Sequence, residues 1–100
     1  MNETKQTLIN AKALISDPKK WTQGASARTA CGAETLTKSH EAVCFCSIGA
    51  IARVSTHHTF TNNAIDVFKK ANDIPYISTF NDNHSHADVM EAFDKAIAAT

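Results

Sequence analysis

Three cysteines, five histidines and a single tryptophan are the side chains of this 100-residue chain with the most chemical reach. Cys44 and Cys46 form a C-x-C pair, not the C-x-x-C of a zinc site, and no second pair of ligands follows at zinc-finger spacing. A catalytic reading makes Cys44 a nucleophile, provided the fold brings a histidine to activate the thiol. The structural reading makes it a small buried hydrophobe in an apolar run. Asp82, His84 and His86 alternate, which on an extended strand would align three ligands. The helix cap that follows them asks for a turn instead, so neither a metal nor a cofactor is expected.

Two polar segments are better placed to hold a ligand. In the first, Trp21 offers a flat face to a nucleobase, Gly24 allows close backbone approach, and Arg28 pairs with phosphate or carboxylate. The bland version is that Trp21 plugs its loop onto the core. In the second, Asn81 and Asp82 either form a polar hook beside Tyr76 or Phe80, or a turn bonded to its own backbone. The expected ligand-binding set is therefore Trp21, Gly24, Arg28, Asn81 and Asp82, with the catalytic residues unknown. No P-loop, G-x-G-x-x-G, H-E-x-x-H, G-x-S-x-G or paired-carboxylate motif occurs.

The elements that must position these residues follow from periodicity and capping. The spacing predicts a first helix over about 3–16, with Asn2 as N-cap and Leu8, Ala11 and Ile15 on one stripe. Asp17-Pro18 ends it. Residues 18–38 form a long polar connection, with a short helical turn possible over 25–30. Such long loops are functional or mobile. A second helix is expected over Glu41–Val54, apolar all round because Glu41, Ser47 and Arg53 are spread around its axis. Its interior Gly49 costs about 1 kcal/mol relative to Ala, tolerable where another backbone or a ligand comes close. A third helix is expected over 62–71, with Ala64, Ile65, Phe68 and Ala71 on one face and Thr59 or Thr61 as cap. Residues 76–80 read as extended or a single turn. The last helix, 86–98, has Ser85 and Asp88 in a capping-box arrangement and the Glu91–Lys95 pair on its surface. The expected fold is a single all-α domain over 1–100, a bundle of about four helices around the central apolar one.

Composition narrows the partners. Ten basic and ten acidic residues give zero net charge, which argues against a nucleic-acid polymer. Residues 1–55 carry seven Lys/Arg against four Asp/Glu, and residues 56–100 three against six. That asymmetry is either a fluctuation or a modest positive surface around Lys19, Lys20, Arg28 and Lys38 that attracts a small anion. No apolar run approaches the roughly 18–20 residues of a membrane span, and no signal-peptide pattern is seen. Three cysteines cannot all pair within one chain, so a reducing, cytoplasmic setting is expected.

An ordered set of features carries a resemblance: Leu8-Ile9, Ala11 and Leu14-Ile15; Trp21-Thr22-x-Gly24; Ala27-Arg28; Ala42-Val43-Cys44-Phe45-Cys46-x-Ile48-Gly49-Ala50-Ile51; Phe80-Asn81-Asp82; and Val89-x-x-x-Phe93-Asp94-x-Ala96-Ile97. Over about residues 8–98 it resembles a family of short bacterial and phage proteins known only as a domain of unknown function. Residues 31–38 fall outside the pattern. The resemblance brings no established activity; in a phage setting, ligand binding of this kind would mean sequestering a host signalling nucleotide. The expected function is thus binding of a small anionic or nucleotide-derived metabolite. The alternatives are a small hydrolase or transferase using Cys44 or Asp82, and an interaction module whose apolar helix is covered by a second copy in a homo-oligomer.

Overall fold

The computed structural model describes residues 2–100. Asn2 opens α1 (Glu3–Leu14) as its sequence predicts, its side chain accepting from the Lys5 N–H. Leu8, Ala11 and Ile15 are fully buried. Asp17 stops the chain from continuing as an α-helix and caps a 3-10 turn over Pro18–Lys20 instead.

The connection after that turn departs from expectation. Residues 27–28 are not helical: Ala27–Arg28 is a strand, β1, antiparallel to β2 (Cys44–Phe45). Trp21 bridges β2 on one side and Glu34 bridges Arg28 on the other. Four short segments therefore lie side by side at one end of the molecule. The all-α expectation is corrected on this point: the fold is mostly helical but includes a small sheet.

The same pairing corrects the central helix, which occupies only Ser47–Val54 (α2) and not Glu41–Val54. Val43 N–H donates to Arg28 O, and Cys46 N–H to Ser26 O, so the first half of the apolar run is held extended. A continuous apolar stretch does not distinguish a buried strand from a buried helix, and Val-Cys-Phe fits a pleated, half-buried surface well. Within β2 Phe45 is buried in the core and its neighbour Cys44, on the other face, is half-buried. Cys46 is the α2 N-cap, its Sγ accepting from Gly49 N–H. At the other end Lys38 Nζ donates to the Arg53 and Ser55 carbonyls, while Arg53 donates to those of Thr37 and Ser39. This reciprocal stitching ties the loop to the C-terminal end of α2, where the helix leaves its carbonyls unpaired.

Helix α3 (His58–Asn72) is longer than its apolar stripe implies, because His57 and not a threonine caps it. Ala64 and Phe68 are buried there, and Asp73 closes the helix in the left-handed region. Residues 77–83 form a further helix, α4 (Ile77–Asn83), so Asn81 and Asp82 lie on a helix and not in an extended segment or turn. Its short polar sequence carries little periodic signal. Ile77 and Asn81, one turn apart, are its buried positions, and the tertiary contacts at those two residues hold it. Helix α5 (His86–Ala98) agrees with expectation, with Ser85 Oγ accepting from Asp88 N–H.

The core lies where α1, α2, α3 and α5 meet. Phe68 and Phe93 make an edge-to-face contact at 4.9 Å, and the fully buried alanines Ala11, Ala50, Ala64 and Ala96 let the helices approach closely. Of the five α-helices among the described residues, α1, α2, α3 and α5 enclose the core, with the small sheet and α4 at one edge.

Candidate functional site

The two polar segments singled out from the sequence come together at that edge. Trp21 leaves the 3-10 turn alongside β2, where Thr22 N–H donates to Phe45 O. Its indole Nε1–H reaches Asn81 Oδ1 at 2.8 Å. The same oxygen accepts from Ser47 N–H at 3.0 Å and Ser47 Oγ–H at 2.7 Å. Asn81 Nδ2 donates to Thr22 O and Asp82 Oδ1. Asn81 is fully buried, and three donors already crowd an oxygen with two lone pairs. It joins α4, the Trp21 segment and the start of α2.

The outer layer is more exposed. Gln23 Nε2 lies within 3.2 Å of the carbonyls of Asn81, Asp82 and His84, covering the C-terminal end of α4. Gly24 has φ +81°, a conformation glycine adopts freely, and its N–H donates to Asp82 Oδ1 at 2.9 Å. Arg28 donates to Gly32 O and Gln23 O, tying this loop to the following turn. Behind Trp21, His86 packs edge-on to the indole at 5.5 Å and its Nε2 lies 2.7 Å from Ile15 O. His84 stacks on Phe80 at 4.0 Å.

Between this loop, α4 and the sheet opens a cleft of about 300 Å³, lined by Gly24, Ala25, Ser26, Glu34, Cys46, Ser78 and Asp82. That is the lower end of the volumes typical of small-molecule sites. Of the five expected residues, Gly24 and Asp82 line it. Trp21, Arg28 and Asn81 stand behind or beside it, their polar atoms bonded within the protein. Ser26, Glu34, Cys46 and Ser78 carry no sequence signal for such a role; only their convergence does. Among the described residues, no Lys or Arg lines the cleft.

The electrostatics are correspondingly one-sided. Glu34 and Asp82 are exposed carboxylates, whereas Cys46 is 4% exposed. Burial pushes the Cys46 thiol above its ordinary value, with the Asp82 charge adding to the effect and the Gly49 and Ile48 N–H groups opposing it. It remains a neutral thiol. Cys44 sits on β2 away from the cleft, 4.0 Å from Arg28 O, and among the described residues no histidine bonds either sulfur. The exposed Cys31 thiol is drawn below its ordinary value, first by Thr29 Oγ1 at 3.2 Å and then by the Ala33 backbone. Among the described residues, no group of three His, Cys, Asp or Glu side chains can hold a metal ion, and no helix is long and apolar enough to cross a membrane.

Fold and site together define a mainly helical domain with a small sheet and an open polar cleft. The chain belongs to the family of unknown function DUF6197, whose model matches residues 1–99. Comparison with curated proteins and with solved structures returns no match.

Proposed function

We propose that this chain is a small-molecule-binding domain and that the cleft between the 23–26 loop, Glu34 and α4 is its site. The observation that carries the reading is the division of labour around Asn81. A buried, internally satisfied network fixes the cleft wall, while the hydroxyls of Ser26 and Ser78 and the carboxylate of Glu34 make no hydrogen bond among the described residues. A rigid wall presenting unengaged polar groups is the arrangement that orients a ligand at low entropic cost.

A nucleotide-derived ligand, as expected from the sequence, is compatible through its sugar hydroxyls and base amines, which donate to carboxylates. Its phosphate has a nearby cation in Arg28, whose Nη2 lies 3.3 Å from where a Gly24 Cβ would stand. Sequestration is favoured over a Cys44-dependent reaction because no thiol–histidine pair is assembled among the described residues. A cytoplasmic setting and a homo-oligomeric state are parts of this proposal.

Native mass spectrometry of the purified protein reports copurified ligand and copy number together. Ser78 is exposed on the cleft wall and its hydroxyl is unbonded among the described residues, so Ser78→Leu fills the space and leaves the core intact. At about 100 times the dissociation constant a ligand stabilises the fold by roughly 2.7 kcal/mol. That stabilisation is expected in the parent chain and absent in Ser78→Leu. An equal shift in both proteins would refute the assignment of the cleft.

A further inference from the structure

We infer that the cleft selects an organic cation, a compact molecule bearing a primary ammonium or guanidinium group. This rests on the cleft being the ligand site and goes beyond it by naming the ligand's charge and chemistry.

Three features of the cleft converge on that choice. Its charged lining residues are Glu34 and Asp82, both acceptors, and the neighbouring Arg28 guanidinium donates to the Gly32 and Gln23 carbonyls. The Glu34 carboxylate makes no bond there, and Asp82 is engaged only through Oδ1, leaving Oδ2 open. The hydroxyls of Ser26 and Ser78 lie on the same lining and accept as readily as they donate. An ammonium group has three donors and no acceptor, and a guanidinium five donors. Either is met by carboxylates and hydroxyls together.

The floor of the cleft supplies an independent observation. Cys46 lines it while being 96% buried, taking its 4% exposure. Its sulfur accepts from Gly49 N–H, yet its S–H has no acceptor among the described residues. A neutral thiol donor at the bottom and acceptors at the rim suit a ligand with its cationic group outward and an acceptor, such as a hydroxyl or carbonyl, pointing in.

An anion finds fewer free partners. The N–H groups that a helix start usually offers to anions are closed at α2, since Asn81 takes Ser47 N–H and Cys46 Sγ takes Gly49 N–H. Arg28 is partly engaged with the Gly32 and Gln23 carbonyls. A simple metal ion is disfavoured by the lack of a three-ligand group among the described residues. A polyatomic cation needs no such convergence on one point, because its donors are spread over several ångströms.

The test is isothermal titration of the full chain with agmatine, putrescine and ethanolamine, and in parallel with AMP and inorganic phosphate, using the parent chain, Glu34→Gln and Ser78→Leu. Glu34 is exposed and unbonded among the described residues, so its substitution leaves the fold unchanged, which circular dichroism checks. At least one amine or guanidine is expected to bind, more weakly as salt is raised. Its affinity falls about tenfold or more in Glu34→Gln, in line with loss of a charge-assisted hydrogen bond, and binding is lost in Ser78→Leu. If AMP or phosphate binds in a Ser78-sensitive way and no amine does, the cation inference is overturned while the cleft stands. Amine affinity unchanged in Glu34→Gln also overturns it. If none of the probes binds, or binding survives Ser78→Leu, the cation inference is overturned. Survival in Ser78→Leu removes the cleft as the site as well.

Discussion

Replacing Gly49 by alanine sets two physical effects against each other, and the structure decides which wins. Seen as a helix position, alanine is preferred over glycine by about 1 kcal/mol. In the folded protein, however, a Cβ on Gly49 would stand 1.9 Å from Ser26 O and 2.8 Å from Ser26 C. Ordinary contact begins at 3.4 Å, so the two backbones must part by about 1.5 Å, far more than a side-chain rotation absorbs. The atom in the way is backbone, and it is the acceptor of Cys46 N–H at 3.2 Å. Overpacking of this kind costs about 1–3 kcal/mol, and stranding a buried donor costs about 1–3 kcal/mol more. After the propensity gain, a net loss of roughly 1–5 kcal/mol is expected. For a domain of this size that lowers Tm by at least about 4 °C. Urea unfolding followed by Trp21 fluorescence and, separately, by far-UV circular dichroism measures the change and checks that the two transitions coincide. Gly49→Ala as stable as the parent, or more so, would refute the close approach of the 26–28 segment to α2, and with it the position of the cleft wall.

Asn81→Ala removes the acceptor shared by Trp21 Nε1, Ser47 N and Ser47 Oγ. A loss of at least about 3 kcal/mol is expected from the stranded donors, together with a changed Trp21 emission spectrum; an unaltered spectrum would contradict the indole bond. The thiols should react with an aromatic disulfide reagent in a fixed order: Cys31 first, being exposed with its thiol drawn down, then half-buried Cys44, and Cys46 only on unfolding. Mass mapping of the first site modified tests this, and early labelling of Cys46 would be inconsistent with its burial. Because the Cys46 thiol is raised in the folded state, its contribution to stability is fully present below the ordinary thiol value of 9.0 and is lost as pH rises through the folded value. Denaturation midpoints should therefore fall more steeply above about pH 9 for the parent chain than for Cys46→Ser; parallel declines would show that the thiol is not the cause.

The sequence by itself determined the helices whose signals are local. Asn2 and Ser85 are N-caps whose bonds close within one turn, and the stripes on α1, α3 and α5 repeat at helical spacing. The composition likewise carried the helical class, and the ordered motifs carried the family. It also brought forward Gly24 and Asp82 as candidates, and both line the cleft. Tertiary structure alone decided the rest. Residues 43–46 are apolar enough for either a helix or a strand, and they become β2 and its exit because Arg28 O and Ser26 O are there to accept their N–H groups. Those partners are 15 to 20 residues away in the chain, beyond the reach of any periodicity. The same holds for α4, where Asn81 is fixed by bonds to Thr22, Trp21 and Ser47. The cleft follows from these long-range pairings. Ser26, Glu34, Cys46 and Ser78 are ordinary residues one at a time, and their common orientation exists only once the strand pair and α4 have set the distance between them.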